Sequence, residues 1–499
     1  MNIGTWISKN AHRFGDKTAL VYRDVRLTYS QLNDRVNRLS HALLHLGVRK
    51  GDRVNGLLLN TNELLESLFA CAKIGALFVP MNTRLSAEEI EYIVTDASAS
   101  VFIYDYRLAP VVSQLKDRLP AINAWIEAGA TSSENLVYEQ LLSLSSMEEA
   151  SIDVKEDDLH MLMYTSGTTG KPKGAMLSHG NTLWNAVNCI NFIPFHAEDT
   201  TLTVAPLFHI GGMNVFTTPT FYLGGTVVVA DKFDPKEVLE LIEKEKISTL
   251  FLVPAMWLAL MQYPDFHQYD LTSLKVCISG GAPCPLTVIE FFQQRNVPFF
   301  EGFGLTETAP FVCLLDKGET IRKKGSVGKP PIHTEVKVVA PNDQEVPTGE
   351  VGELVVKGPN IFAGYWNKPV QTKEAIKAGW FYTGDLARMD EEGFIYIVDR
   401  KKDMIISGGE NIYPIEVEQV LFRMPGVKEV AVVGVPDEKW GETVKAYMVI
   451  EENKRLTLEE VQKFCDGKLA RFKMPRIIET IEALPRNATG KVLKTALRN

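Results

Sequence analysis

Short apolar runs alternate with helically spaced segments through more than half of the chain, and this alternation limits the fold more than any other feature. Arg53-Val54-Asn55-Gly56-Leu57-Leu58-Leu59 and Ser100-Val101-Phe102-Ile103-Tyr104 have the continuous hydrophobicity of strands buried on both faces. Between them, Glu63–Ile74 and Ser86–Ala97 carry helical spacing, and Ser86 with Glu89 makes a capping-box pattern. The same alternation returns at Ala205, Thr226–Ala230, Thr249–Val253 and Lys275–Ser279. Strands that alternate with helices predict an α/β fold with a mostly parallel sheet.

Beyond about residue 325 the pattern changes to short strands and Gly turns, as in Val351-Gly352-Glu353-Leu354-Val355-Val356-Lys357-Gly358, which predicts a small β-rich part. A second change comes near Arg400. Residues 400–499 hold 18 Lys/Arg against 15 Asp/Glu, whereas residues 1–399 hold 35 against 47. The expected organisation is a large unit over 1–399 and a small α+β unit over 400–499, hinged at Asp399-Arg400-Lys401-Lys402-Asp403.

With 45% hydrophobic residues in 499, the chain can bury a large core, and its net charge of −9 argues against general nucleic-acid binding. The cysteines at 71, 189, 277, 284, 313 and 465 form no C-x-x-C pair or zinc-spaced cluster, so they read as reduced thiols of a cytoplasmic protein. The N-terminus lacks the apolar core of a secretory signal. Thr200–Ala230 contains no Asp, Glu, Lys or Arg, but Pro206, Gly211-Gly212, Pro219 and Gly224-Gly225 interrupt it. It is expected to be a buried strand–turn–strand region, not a lipid-spanning helix.

The strongest chemical signal is Met163-Tyr164-Thr165-Ser166-Gly167-Thr168-Thr169-Gly170-Lys171-Pro172-Lys173-Gly174. Glycines let backbone N–H groups turn toward an anion, hydroxyls add donors and lysines add charge, which together make a phosphate cradle. It is not a Walker loop: only Thr168-Thr169 separate Gly167 from Gly170, and Pro172 follows Lys171. No Gly-x-Ser-x-Gly elbow and no His-Glu-x-x-His motif occurs.

With this loop and several further motifs in order, essentially the whole chain resembles the adenylate-forming superfamily of acyl-CoA synthetases, peptide-synthetase adenylation domains and firefly-type luciferases. The resemblance implies a nucleotide site at Thr165, Ser166, Gly167, Thr168, Thr169, Gly170 and Lys171. It implies an adenine wall at Gly281-Ala282-Pro283, and an adenine and magnesium motif from Glu301 through Gly302, Phe303, Gly304, Leu305 and Thr306 to Glu307. Glu307, with Thr165, would serve Mg²⁺, a hard cation suited to oxygen ligands, and Thr306 the α-phosphate. Phe303 stands where Tyr is usual, which keeps ring stacking and loses a phenol hydrogen bond. Asp385 of Tyr382-Thr383-Gly384-Asp385 and Arg400 would hold the ribose, since a carboxylate can accept from both hydroxyls.

Lys402 matches the family's pivot, and Gly408-Gly409-Glu410 its pantetheine tunnel. Lys491, in Pro485-Arg486-Asn487-Ala488-Thr489-Gly490-Lys491, matches the lysine that bridges carboxylate and α-phosphate. His209 falls at an aromatic gate between acyl site and thiol tunnel; the alternative is a core histidine.

The implied reaction joins a small-molecule carboxylic acid to CoA at the expense of MgATP, through acyl-AMP, with a C-terminal domain that rotates between halves. Gly211 and Gly212 are expected to leave room for the acid, with Met213, Phe216, Leu305, Ala309 and Pro310 as apolar walls. The expected acid is a medium- to long-chain fatty acid, with cinnamate- or ferulate-type acids as the alternative. Transfer to a carrier protein, luciferase-like oxidation and an inactive lipid-binding fold are the other readings. Lys9, Arg13, Lys17, Arg23 and Arg26 suit either peripheral membrane contact or a solvated face, and dimerisation is a tendency of the family.

Overall fold

The computed structural model describes residues 2–165, 171–452, 454–486 and 492–498. Two large sheets make up the N-terminal part. The first has seven strands in the order Leu136–Val137, Ala124–Ala128, Val101–Asp105, Arg53–Leu57, Leu77–Pro80, Leu159–Thr165 and Lys173–Ser178. All neighbours in it are parallel except the last pair. The second has eight strands, ordered Phe311–Leu315, Phe299–Gly304, Val276–Gly280, Thr249–Leu252, Thr200–Thr203, Thr226–Val229, Thr18–Tyr22 and Val25–Thr28. Its six inner strands are parallel and its two ends pair antiparallel. This is the mostly parallel α/β arrangement that the alternation predicts. Ser86 accepts from the Glu89 amide and Glu89 reaches back to the Ser86 amide, so the capping box starts the Ala87–Ala97 helix as read.

Buried residues of both sheets and their helices form the main cores, with Phe69, Phe78 and Met161 in one and Leu202, Leu250, Trp257 and Phe299 in another. A five-stranded antiparallel sheet follows, from Glu335–Val339, Gly352–Lys357, Ile376–Lys377, Trp380–Met389 and Ile395–Arg400. The chain then enters a smaller C-terminal unit with its own sheet and core: Ile405, Ile412, Val417, Leu421, Val432, Val444, Met448 and Val461 pack together. That sheet is mostly antiparallel, with one parallel pairing of Ile477–Thr480 on Gly441–Ile450.

One expectation is corrected. Between the strands Thr200–Thr203 and Thr226–Val229, the uncharged stretch is helical from Ile210 to Leu223, with a π-helical turn over Met213–Thr217. Burial of nearly the whole segment removes the polar face that would have shown a helical period. Among the described residues no helix is long and apolar enough to cross a membrane. All six cysteines are buried and free.

Candidate active site

Three segments that are far apart in sequence meet at the C-terminal ends of the inner strands of the eight-stranded sheet, where parallel sheets place their sites. Phe299–Gly304 ends in a sharp reversal. A Cβ on Gly304 would lie 1.8 Å from the Pro310 carbonyl oxygen, so only glycine fits. The Leu305 amide donates to the Pro310 carbonyl (3.2 Å), and Asn360 Nδ2 donates to the carbonyls of Thr308 (2.7 Å) and Phe311 (2.9 Å). This frame presents buried Thr306 and half-buried Glu307 on a single 3₁₀ turn, Thr306–Thr308.

Glu307 Oε1 accepts the Tyr365 hydroxyl at 2.8 Å. Burial raises its carboxyl above the usual range, the Tyr365 hydrogen bond and the Arg400 charge pull it back, and the Asp385 charge pushes it up. Asp385 and Arg400 face each other on adjacent strands, with Arg400 Nε 3.1 Å from Asp385 Oδ1. Gly384, at φ +74°, turns the chain so that the Asp385 amide donates to Thr383 Oγ1 (3.1 Å). Glu307, Asp385 and Arg400 therefore form one electrostatic group.

Upstream, Glu301 has a buried Oε2 without a protein partner, and burial pushes its carboxyl up to about 8. At neutral pH it is mostly protonated and can donate one hydrogen bond while accepting others, which fits the edge of a purine. Gly281, at φ +84°, with Ala282 and Pro283, follows the adjacent strand Val276–Gly280, whose Gly280 pairs with Gly302.

The two strands that flank the phosphate-type loop pair antiparallel and bring Thr165 opposite Lys173. Ser166, Gly167, Thr168, Thr169 and Gly170 lie outside the described residues, as does Lys491. At the loop's near end Tyr164 donates to Asp96 Oδ2 (2.7 Å), and at its far end Lys171 Nζ stands 5.0 Å from the Tyr92 ring. The Trp366 amide donates to the Gly174 carbonyl (2.8 Å), so this segment lies along the exit strand and carries Tyr365 to Glu307. Lys368 Nζ reaches Asp96 Oδ1 at 3.4 Å. Asp96 and Tyr365 thus tie both ends of the loop to the Glu307 carboxylate. Sequence reasoning missed both, and the only local cue was the pair Gly364-Tyr365 behind a Gly/Pro-rich run.

His209 is exposed, so it is not a core histidine. Its amide donates to the Pro206 carbonyl (3.0 Å), and its carbonyl accepts from Met213 (3.0 Å). Gly211 and Gly212 do not leave open room: a Cβ on Gly211 would lie 2.8 Å from the Phe251 ring, and one on Gly212 would lie 2.3 Å from the Pro206 carbonyl oxygen.

In the C-terminal unit, Gly408 (φ +60°) and Gly409 (φ +86°) turn a hairpin whose return strand begins at Glu410. A Cβ on Gly408 would strike the Trp440 ring at 2.7 Å, whereas one on Gly409 would meet nothing within 4 Å. The segment around Lys402 is held from the C-terminus: Arg498 donates to the Lys402 and Asp403 carbonyls and sits 3.0 Å from Asp403 Oδ1. Asp399, beside it, accepts from the Arg400 and Ile415 amides, and burial pushes its carboxyl up to about 6.

No group of three or more His, Cys, Asp or Glu that could hold a metal is present among the described residues. Glu307 alone still suits Mg²⁺, which takes one or two carboxylates and completes its shell with phosphate oxygens and water. The family model for AMP-binding enzymes matches residues 7–366, and the model for their C-terminal domain matches residues 416–491. A feruloyl-CoA synthase of Amycolatopsis sp is 40% identical over 496 residues, covering 99% of this chain and 98% of that protein. A long-chain-fatty-acid–CoA ligase, FadD13, of Mycobacterium tuberculosis is 39% identical over 480 residues, covering 95% and 93%. The structure of o-succinylbenzoate coenzyme A synthetase from Bacillus subtilis, with ATP and magnesium ion, superposes with a TM-score of 0.88 at 32% identity, covering 99% of each chain.

Proposed function

This chain belongs to the AMP-binding enzyme family, and from that premise we propose which residue performs each part of the reaction and what kind of acid is taken. The enzyme is an acid–thiol ligase that uses ATP, Mg²⁺ and CoA. A carboxylate oxygen attacks the α-phosphorus, the bond to the β-phosphate bridge breaks, and pyrophosphate leaves. The CoA thiol then attacks the acyl carbon, the carbon–oxygen bond to AMP breaks, and the thioester forms. No covalent enzyme intermediate is needed, so the protein's work is positioning and charge stabilisation.

In the proposed assignment Asp385 and Arg400 hold the ribose hydroxyls, and residues 281–283 and 301–305 hold adenine. The 165–171 loop holds the β- and γ-phosphates, and Thr306 touches the α-phosphate. Glu307, with Thr165, would hold Mg²⁺, which supplies neutralising charge to the triphosphate. Lys491 bridges the two anions in the first half-reaction. Lys402 is the pivot between the units 1–399 and 400–499, and Gly408-Gly409-Glu410 line the thiol path of the second half. His209 separates acyl site from thiol path, a role its exposure supports. The observation that carries the assignment is the Asp385–Arg400 ion pair on adjacent strands, whose two charges both act on the Glu307 carboxyl.

The acid is a monocarboxylate with an uncharged tail. No Lys or Arg occurs between Thr200 and Ala230 to pair a second carboxylate, and Phe216 and Phe251 supply apolar walls. A medium- to long-chain fatty acid is one form of such a tail, in line with the fatty-acid ligase among the relatives. A cinnamate-type ring is the other, favoured by those two rings and by the feruloyl-CoA synthase. Pyrophosphate release across fatty, aromatic and dicarboxylic acids, with and without CoA, tests the reading. Turnover on a dicarboxylate above all monocarboxylates would overturn it.

A further inference from the structure

The cavity bordered by Phe216 and Phe251 is partly polar, with threonine side chains in its lining. Thr201 and Thr203, two apart on one strand, turn the same face toward the π-helical turn and the helix behind it. Thr203 Oγ1 lies 2.7 Å from Thr217 Oγ1, and Thr201 Oγ1 lies 2.6 Å from both Thr220 Oγ1 and Thr249 Oγ1.

The direction of each bond can be worked out, because a hydroxyl has one proton to give. Thr217 gives its proton to the Gly212 carbonyl (2.7 Å), so Thr203 must donate to Thr217. Thr220 gives its proton to the Phe216 carbonyl (2.7 Å), so Thr201 donates to Thr220 and Thr249 donates to Thr201. Every proton in the cluster is committed, and the unused capacity is acceptor lone pairs; of the two hydroxyls that accept from neither neighbour, Thr203 and Thr249, only Thr203 lines the cavity. Thr201, Thr203, Thr217, Gly211, Phe216 and Phe251 line a cavity of about 10 Å³ there. That volume takes one oxygen atom with its proton.

We propose that this cavity receives a neutral hydroxyl group at the distal end of the acid, with Thr203 Oγ1 accepting its proton and the Phe216 and Phe251 rings flanking it. The proposal rests on the preceding reading that the acid has an uncharged tail lying against the Phe216 and Phe251 rings. A distal carboxylate is excluded, since it brings no proton to acceptors and finds no cation in this segment. A terminal methyl would leave the Thr203 lone pairs buried without a donor, which costs binding.

Two matched pairs test it: cinnamate against 4-hydroxycinnamate, and decanoate against 10-hydroxydecanoate. The readout is kcat/KM for acid-dependent pyrophosphate release by the full-length enzyme. The hydroxylated member of one pair is expected to win by about 10–100-fold, a ratio suited to one buried acceptor gaining or lacking its donor. The pair that shows it tells a phenol from an aliphatic alcohol. Thr203→Val should collapse the ratio toward one, and Thr203→Ser should preserve it. A wild-type ratio at or below one in both pairs overturns the assignment without any variant, and so does a ratio that survives Thr203→Val. If ATP binds but no acid in either pair releases pyrophosphate, the acid-tail reading falls and the cavity assignment falls with it.

Discussion

Replacing Gly212 by alanine should destabilise the N-terminal unit and disable acid activation together, and the size of the effect follows from the local packing. The new Cβ would stand 2.3 Å from the Pro206 carbonyl oxygen and 2.6 Å from that of Ala205, where real contacts do not fall below 3.0 Å. The backbone must therefore retreat by about 0.7 Å at Pro206, the shortfall from that limit. It is not free to do so. The Ala205 carbonyl accepts Asn60 Nδ2 at 3.1 Å, Asn60 Oδ1 accepts the Leu207 amide at 2.9 Å, and the Pro206 carbonyl accepts the His209 amide at 3.0 Å. Overpacking of this kind costs about 1–3 kcal/mol, and a strained or lost hydrogen bond adds about 1. The helical preference of Ala over Gly returns about 0.5–1 kcal/mol, so the net loss is about 1–3.5 kcal/mol.

Gly211→Ala is the internal control. Its Cβ meets the far edge of the Phe251 ring at 2.8 and 3.0 Å, and a ring can swing where a carbonyl cannot. It should cost under about 0.5 kcal/mol, yet change the relative kcat/KM of the acids as the ring moves into the cavity. Denaturant unfolding followed by tryptophan fluorescence, with pyrophosphate release on the same samples, reads both. A Gly212→Ala protein as stable as wild type, or a Gly211→Ala protein that loses more, would refute the packing argument.

Three further outcomes can be checked. Asp385→Asn removes the charge that faces Arg400 and should weaken ATP binding by calorimetry about 10–100-fold, equivalent to about 1.5–3 kcal/mol for hydrogen bonds to a charged group; unchanged affinity would remove Asp385 from the ribose. Glu301 holds its proton to about 8 in the folded protein against an ordinary 4.5, so between those values the unfolded chain releases a proton that the native state keeps. Stability should fall as pH rises through that window, and Glu301→Gln should melt progressively above wild type toward pH 9; parallel melting curves would contradict it. His179 is the opposite case. It is buried, accepts the Ile3 amide at 3.2 Å through Nδ1, and is held down to about 3 against an ordinary 6.5. As pH drops below 6.5 the unfolded state gains a proton that the native state refuses, so stability is lost toward acid, and His179→Gln should flatten that limb. An unchanged acid slope would count against it.

The parallel sheets were legible because buried strands and crossover helices leave a clear pattern, as at Arg53–Leu57, Val101–Asp105 and the capped helix from Ala87. The helix between Ile210 and Leu223 was not, since a segment buried on nearly every side has no polar face to mark its period. The motifs located Glu307, Asp385 and Arg400 as separate candidates. That Glu307 and Asp385, 78 positions apart in the chain, share one electrostatic site depends on two sheets meeting, which no local spacing encodes. Tyr365 and Asp96 were missed for the same reason: each acts through a partner at least 58 residues away. Gly211 and Gly212 look like space in a sequence, but here they are points of closest packing. The threonine cluster was also hidden, because a hydroxyl in a β-branched strand residue reads simply as strand preference.

The most direct test of the central claim follows one oxygen atom. If the carboxylate attacks the α-phosphorus, an acid labelled with ¹⁸O in both carboxylate positions must leave one label in AMP after CoA turnover, detected by mass spectrometry. One ¹⁸O per AMP, with none in pyrophosphate, is the predicted result. AMP without label, or label found in pyrophosphate or inorganic phosphate, would mean that the acid is activated by a different route and would contradict the account.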